Sequence, residues 1–182
     1  GTQSRRVLDD PSYAENFGLI QQAQQAITYY GFATCIEPAD ACPASDATND
    51  GRTPTANLNF RIALTQAINK QQFIDLTFGG TGQIANSFVM PGLLGYQGDD
   101  FAGPYPFDPA AATAAMDAAL AEMGVADTDA DGAVTAADLG TITLGYNSNA
   151  GHLPRVVNLA EQWRTNLGFN EEQFQLIGSD FA

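Results

Sequence analysis

Residues Leu58–Gly80, LNFRIALTQAINKQQFIDLTFGG, are the longest stretch in which every local signal agrees. Phe60, Ala63, Leu64 and Ala67 recur at helical spacing on one face, while Arg61, Gln66 and Asn69 fall elsewhere. The spacing predicts a helix over Leu58–Ala67. Asn69 then reads as an N-cap, with Gln72 three residues on as its capping-box partner. A second helix, Lys70–Phe78, is expected to bury Phe73, Ile74 and Phe78. Gly79 and Gly80 stop it, because glycine enters the left-handed conformation of a helix C-terminus without steric cost. The two helices together are expected to form one rigid core piece, a scaffold without chemistry of its own.

Outward from this piece, the next clear helix opens at Asp108-Pro109, an N-cap followed by proline at the first helical position. Ala112, Met116, Ala119, Leu120 and Met123 make its apolar stripe, and Gly124 ends it. Thr141–Asn147 alternates as a strand, with Ile142, Leu144 and Tyr146 on one face. Leu153–Leu167 is a further helix, with Leu153, Val156, Val157, Ala160, Trp163 and Leu167 at helical spacing and Gly168 after it. Gln173–Ile177 reads as a last short strand. Toward the N-terminus, Ala26–Thr34 (AITYYGFAT) is β-branched and aromatic and predicts a strand. Ser12–Gln24 has weak helical character within a poorly defined segment, 1–24. Cys35–Thr55 is a loop rich in proline, aspartate and serine. Thr81–Phe107 is irregular yet aromatic, so it must pack on its own domain or face a partner. The order of elements predicts a single domain over 1–182 of mixed α/β (α+β) class, a small mixed sheet with flanking helices.

The 182 residues carry 21 acidic side chains against 7 lysines and arginines, a net charge of −14. Such a surface repels nucleic acid and anionic membrane, which removes both as partners. It implies a solvated acidic exterior, with a cation-binding or high-salt role for part of the charge as the alternative. No apolar run is long enough to span a bilayer, so direct membrane insertion is not expected. Cys35 and Cys42 are spaced for a small disulfide-closed loop and match no CxxC zinc or redox pattern. The expected bridge implies an exported chain, with two free thiols as the alternative. Neither Gly1-Thr2 nor Ala182 resembles a natural terminus, so a cut from a longer exported protein is expected.

The sharpest local chemistry is DTDADGAVTAAD, residues 127–138. Asp127, Asp129 and Asp131 stand at positions 1, 3 and 5 of a twelve-residue loop, with Gly132 at the sharp turn. Ala133 can offer its carbonyl at position 7, Thr135 its hydroxyl at 9, and Asp138 closes at 12. Alternate carboxylates on a tightly turned backbone converge on one point, which suits a hard dication. The loop resembles an EF-hand and predicts structural Ca2+ binding. It departs from that pattern in having Asp rather than Glu at position 12 and a strand in place of the exit helix. The alternative is a turn whose carboxylates only cap and solvate.

Other constellations are thin. His152 is the only histidine, and no Ser-His-Asp or HExxH pattern accompanies it, so it reads as a helix-start or surface residue. GGTGQIANS lacks the lysine of a phosphate loop. Trp163 reads as core. No catalytic residue is assigned.

Four stretches in order carry a family resemblance: TYYGFAT (28–34), FRIALTQAINKQQFIDLTFGGTGQIANSFVMPGLLGY (60–96), PYPFDPAAATAAMDAALAEMG (104–124) and ITLGYNSNAGHLPRVVNLAEQWRTNLGF (142–169). The chain resembles the extracellular solute-binding proteins of the oligopeptide/dipeptide/nickel class, family 5, which serve ABC importers. The resemblance implies part of the second lobe of a two-lobed clamshell. It implies a non-enzymatic role, with a peptide or other small solute as ligand and an importer's membrane permease as partner. It implies an extracellular or periplasmic location, with a lipid anchor in a preceding region as one form of it. By analogy with the family cleft, Gly82 and Asn86, and Tyr146 and Asn147 after the strand, are the expected ligand-facing residues, though packing and turn roles are the ordinary reading of each. Asn69, where the family often has Asp, the cysteine loop and the acidic loop depart from the family pattern. Two other readings compete: a calcium-dependent extracellular structural or adhesion module, and a hydrolase built on a carboxylate pair.

Overall fold

The computed structural model describes residues 9–18, 26–33, 54–98 and 100–180. Asp10 caps a short helix, α1 (Pro11–Asn16), by accepting from the Ser12 amide at 3.0 Å. This helix ends at Phe17, well short of the expected Gln24, and residues 19–25 lie outside the described residues. Cys35 and Cys42 also lie outside them, and with them the expected disulfide.

Helix α2 (Leu58–Gln66) follows a 3-10 turn at Pro54–Ala56. Its N-cap is Asn57, whose Oδ1 accepts from the Phe60 amide at 3.0 Å. Phe60, Ala63, Leu64 and Ala67 are buried as their spacing predicts. Helix α3 (Lys70–Phe78) buries Phe73 and Ile74, but Phe78 is only half-buried. The chain separates into two compact units between these helices. One unit comprises Gly1–Tyr30 with Lys70–Pro104, and the other Gly31–Asn69 with Tyr105–Ala182. The expected rigid two-helix piece is therefore divided, because α2 commits its apolar face to helices much later in the chain.

In the second unit α2 packs on α4 (Pro109–Met123), and α5 (Leu153–Leu167) joins them. Asp108 caps α4 as predicted, accepting from Ala111 at 3.0 Å, and Gly124 ends it at φ 61°. Ala112, Met116, Ala119 and Leu120 are buried and Met123 is half-buried. The small alanines on both facing helices allow close approach. In α5 the buried residues are Val156, Leu159, Ala160, Gln162, Trp163 and Leu167. Leu153 and Val157, expected inside, are 45% and 47% exposed; the buried stripe is rotated toward Leu159 because α5 presents Trp163 to the end of α2.

That junction satisfies the carbonyls a helix leaves unpaired at its C-terminus. The Leu64 carbonyl accepts from Trp163 Nε1 at 2.8 Å, the Ala67 carbonyl from Asn166 Nδ2 at 2.8 Å, and the Gln66 carbonyl from the Asp108 amide at 2.9 Å. The Asn69 amide donates to the buried Gln162 Oε1 at 2.6 Å. At the other end of α2, Asn57 and Asn59 donate to the two carboxylate oxygens of Glu122, at 2.9 and 2.7 Å.

Strands β1 (Ile142–Asn147) and β2 (Phe174–Ser179) pair in parallel, Ile142 opposite Phe174 through Asn147 opposite Ser179. A parallel pair needs a long crossover, and α5 supplies it. Trp163, Phe169 and Phe174 form an aromatic cluster beneath this pair, with Phe169 and Phe174 centroids 5.0 Å apart. The mixed α/β class holds; the two strands of the described sheet are parallel.

The first unit is organised differently. The strand expected over Ala26–Thr34 is absent: residues 26–33 have no ladder, and Thr34 lies outside the described residues. Strand propensity reflects side-chain packing against neighbours, and here the side chains find aromatic partners without a sheet. Tyr29 sits edge-on to Phe88 at 6.5 Å and Tyr30 edge-on to Phe73 at 5.9 Å. The irregular stretch from Thr81 is closed by turns, with the Leu93 amide on the Met90 carbonyl and the Tyr96 amide on the Leu93 carbonyl. Much of its apolar surface is nonetheless open: Phe88 is 80% exposed and Leu94 is fully exposed.

Candidate functional site

The acidic loop joins α4 to β1 and is shaped by its own carboxylates. Asp127 accepts from the amides of Ala130 (2.7 Å) and Gly132 (2.9 Å). Asp129 accepts from Asp131 at 3.1 Å, and Asp131 from Ala133 at 2.8 Å. These bonds need a tightly reversed backbone. Gly132 adopts φ 94°, and Ala130 takes φ 59°, a left-handed conformation unfavourable for a residue with a Cβ. One carboxylate oxygen from each of Asp127, Asp129 and Asp131 lies within 4.8 Å of the others. That is about the span of two oxygens on opposite sides of a Ca2+ held at roughly 2.4 Å, so the donor set and its spacing fit a hard cation.

Asp138 behaves differently from the other three. It is buried, and its Oδ1 accepts from the Thr128 amide (2.6 Å) and hydroxyl (2.8 Å). Its Oδ2 accepts from the Thr135 amide at 2.8 Å and lies 3.5 Å from the Thr135 hydroxyl. The amides of Thr128 and Thr135 hold its pKa down at about 2, with the Thr128 hydroxyl adding to them; burial works the other way and is the smaller effect. Thr135 in turn caps the 3-10 turn Ala136–Asp138, its hydroxyl accepting from Ala137 at 3.2 Å. The structure thus gathers Asp127, Asp129 and Asp131 and turns Asp138 onto Thr128 and Thr135 as the clasp of the loop. Ala133 contributes its amide to Asp131.

Behind the clasp stands Gln173. Its Nε2 donates to the carbonyls of Ala136 (3.0 Å), Ala137 (3.2 Å) and Leu139, and its Oε1 accepts from the Asn170 amide at 2.6 Å. Gln173 thereby ties the start of β2 to the exit of the loop. The Thr128–Asp138 contact and the bonds from Gln173 Nε2 carry no periodic or motif signature, whereas Thr135-x-x-Asp138 and Asn170-x-x-Gln173 are readable as capping boxes.

The four expected ligand-facing residues fall in different units, Gly82 and Asn86 in the first, Tyr146 and Asn147 in the second. Tyr146 and Asn147 end β1 at the C-terminal edge of the parallel pair, the edge at which open α/β sheets present ligand-binding groups. The Tyr146 ring lies across Gly178: a Cβ there would meet its Cζ and Oη at 2.9 Å, so a side chain at 178 would push the ring aside. Asn147 Oδ1 accepts from the Asn149 amide at 2.9 Å, and Asn149 Nδ2 reaches Asp180. In the first unit Asn86 is half-buried, and a Cβ on Gly103 would come within 3.2 Å of its carbonyl oxygen. Gly82 has ordinary room beside Ile74. His152 occupies the N-cap position of α5, with no capping bond from its side chain.

The sequence pattern of the bacterial extracellular solute-binding proteins, family 5 (middle region), matches residues 3–173. The chain belongs to this family. A curated relative, the oligopeptide-binding protein OppA of Bacillus subtilis (strain 168), is 27% identical over 124 residues, which are 68% of this chain and 21% of that protein. The chain therefore spans about a fifth of the length of the relative it matches. Family 5 is a family of binding proteins rather than enzymes, and the non-enzymatic reading of the sequence agrees with it. No helix among the described residues is long and apolar enough to cross a membrane.

Proposed function

We propose that this chain forms part of the ligand-binding body of an exported receptor that passes a peptide to the membrane permease of an ABC importer. The match to a solute-binding family over residues 3–173 carries the reading. The likeness to an oligopeptide-binding protein supports peptide as the ligand class, and the family's extracellular character supports an extracellular or periplasmic location. Tyr146 and Asn147 offer an aromatic face and an amide suited to a peptide backbone, with Gly82 and Asn86 as further candidates. The test uses the full-length protein in calorimetric titration with peptides of two to eight residues. Binding in the micromolar range or tighter is expected, with about a tenfold loss on Tyr146→Ala. No binding at any length would sink the peptide assignment.

Within this reading the acidic loop is a structural Ca2+ site. Asp127, Asp129 and Asp131, with the Ala133 carbonyl and Thr135, would hold the ion. Asp138 would close the loop, and the ion would pin the end of α4 to β1. Support comes from the convergence of the three carboxylates and from hard oxygen donors throughout. Chelator-treated chain titrated with Ca2+ should give a saturable heat that Asp129→Ala removes. Absence of that heat in the unsubstituted chain would end the proposal.

A further inference from the structure

The surface and the core of this chain are mismatched in strength. Acidic residues outnumber lysines and arginines by 21 to 7, so most of the carboxylates have no cation to offset them. Arg61 donates to the backbone carbonyls of Thr55 (2.9 Å) and Ala56 (2.8 Å). Arg164 holds Glu161 and stands 3.9 Å from Glu171. Lys70, the one lysine, is half-buried at the start of α3. The side chains of Glu15, Asp100, Asp117 and Glu172 are exposed and make no hydrogen bond or ion pair among the described residues. Meanwhile Ala63, Ala67, Ala112, Ala119 and Ala160 occupy buried helix faces, where larger side chains would remove more apolar area from water. Like charges on a compact body repel, and the unfolded chain relieves that repulsion by expanding.

We infer that folding of this chain depends on monovalent salt, because cations must screen its exposed carboxylates before the alanine-rich core can hold the compact state. The screening length falls from about 10 Å at 0.1 M to about 3 Å at 1 M, so the gain should be concentrated below about 1 M. This dependence is separate from any Ca2+ site, since it needs neither a divalent ion nor the acidic loop.

The experiment follows thermal unfolding of the 182-residue chain by circular dichroism from about 0.05 to about 1 M KCl, with EDTA throughout. The midpoint should rise by roughly 10 °C, or the chain should be unfolded at the lowest salt and recover its structure as KCl is added. A variant carrying Glu15→Gln, Asp100→Asn, Asp117→Asn and Glu172→Gln should start higher and respond to KCl about one-third less. A midpoint that is flat or falls with KCl in the unsubstituted chain overturns the inference. So does a folded variant that responds as strongly as its parent, since salt would then be acting through something other than these charges.

Discussion

The described residues of 81–104 and residues 127–135 both lack helix and strand, yet they hold their backbones in opposite ways. The first uses turns between backbone groups and leaves Phe88 and Leu94 in solvent. The second converts carboxylates into acceptors for its own amides and ends in the buried clasp of Asp138. The apolar stretch needs something to pack on before its composition becomes stabilising. The acidic stretch is wired locally and needs only a frame at its two ends. In these two irregular segments, side-chain-to-amide bonds rather than hydrophobic content mark where the backbone is tied down locally.

The largest effect should come from removing that frame. Gln173→Leu removes the side-chain donor to the carbonyls of Ala136, Ala137 and Leu139, of which Ala136 keeps the Leu139 amide, and should cost about 2–3 kcal/mol in urea unfolding. A cost under about 0.5 kcal/mol would mean that the acidic loop holds itself unaided. Acid should act next, through the clasp. Asp138 titrates at about 2 when folded, below the roughly 3.9 of an unfolded aspartate. Its contribution is therefore fully present above about pH 4, declines as the pH falls, and is gone below about pH 2. Exchange protection of the Thr128 and Thr135 amides should fade over that window; protection unchanged at pH 2 would contradict the clasp. Third, Ala130→Gly should stabilise the chain by about 0.5–1 kcal/mol in the same urea assay, because glycine accepts the left-handed conformation that alanine resists. Smallest of all, Phe88→Ser should change stability by less than about 0.5 kcal/mol, and a larger loss would show that the exposed aromatic stretch is as well anchored as the acidic loop.

Elements with local punctuation were legible in the sequence. Asp108, Pro109 and Gly124 bracket α4, and Leu153, Pro154 and Gly168 bracket α5, because caps and breakers act within a turn of where they stand. The apolar face of α2 was legible for the same reason. What failed depended on distant partners. Ala26–Thr34 has strand composition, but its tyrosines met aromatic rings instead of a ladder among the described residues. Leu153 and Val157 match the helical period of α5, yet the position of α2 selects Leu159 instead. In the acidic loop the three converging aspartates were readable from their spacing. The diversion of Asp138 was not, because Thr128 stands ten residues away and Gln173 more than thirty.

The C-terminal end of α2 has a consequence for the order in which the protein matures. Its Leu64 and Ala67 carbonyls are satisfied by Trp163 and Asn166, each 99 residues further along. A nascent chain that has only just produced this helix has nothing with which to finish it. The helix must fray, or borrow water, until Trp163 and Asn166 have been synthesised. Such distant closure slows folding relative to local contacts.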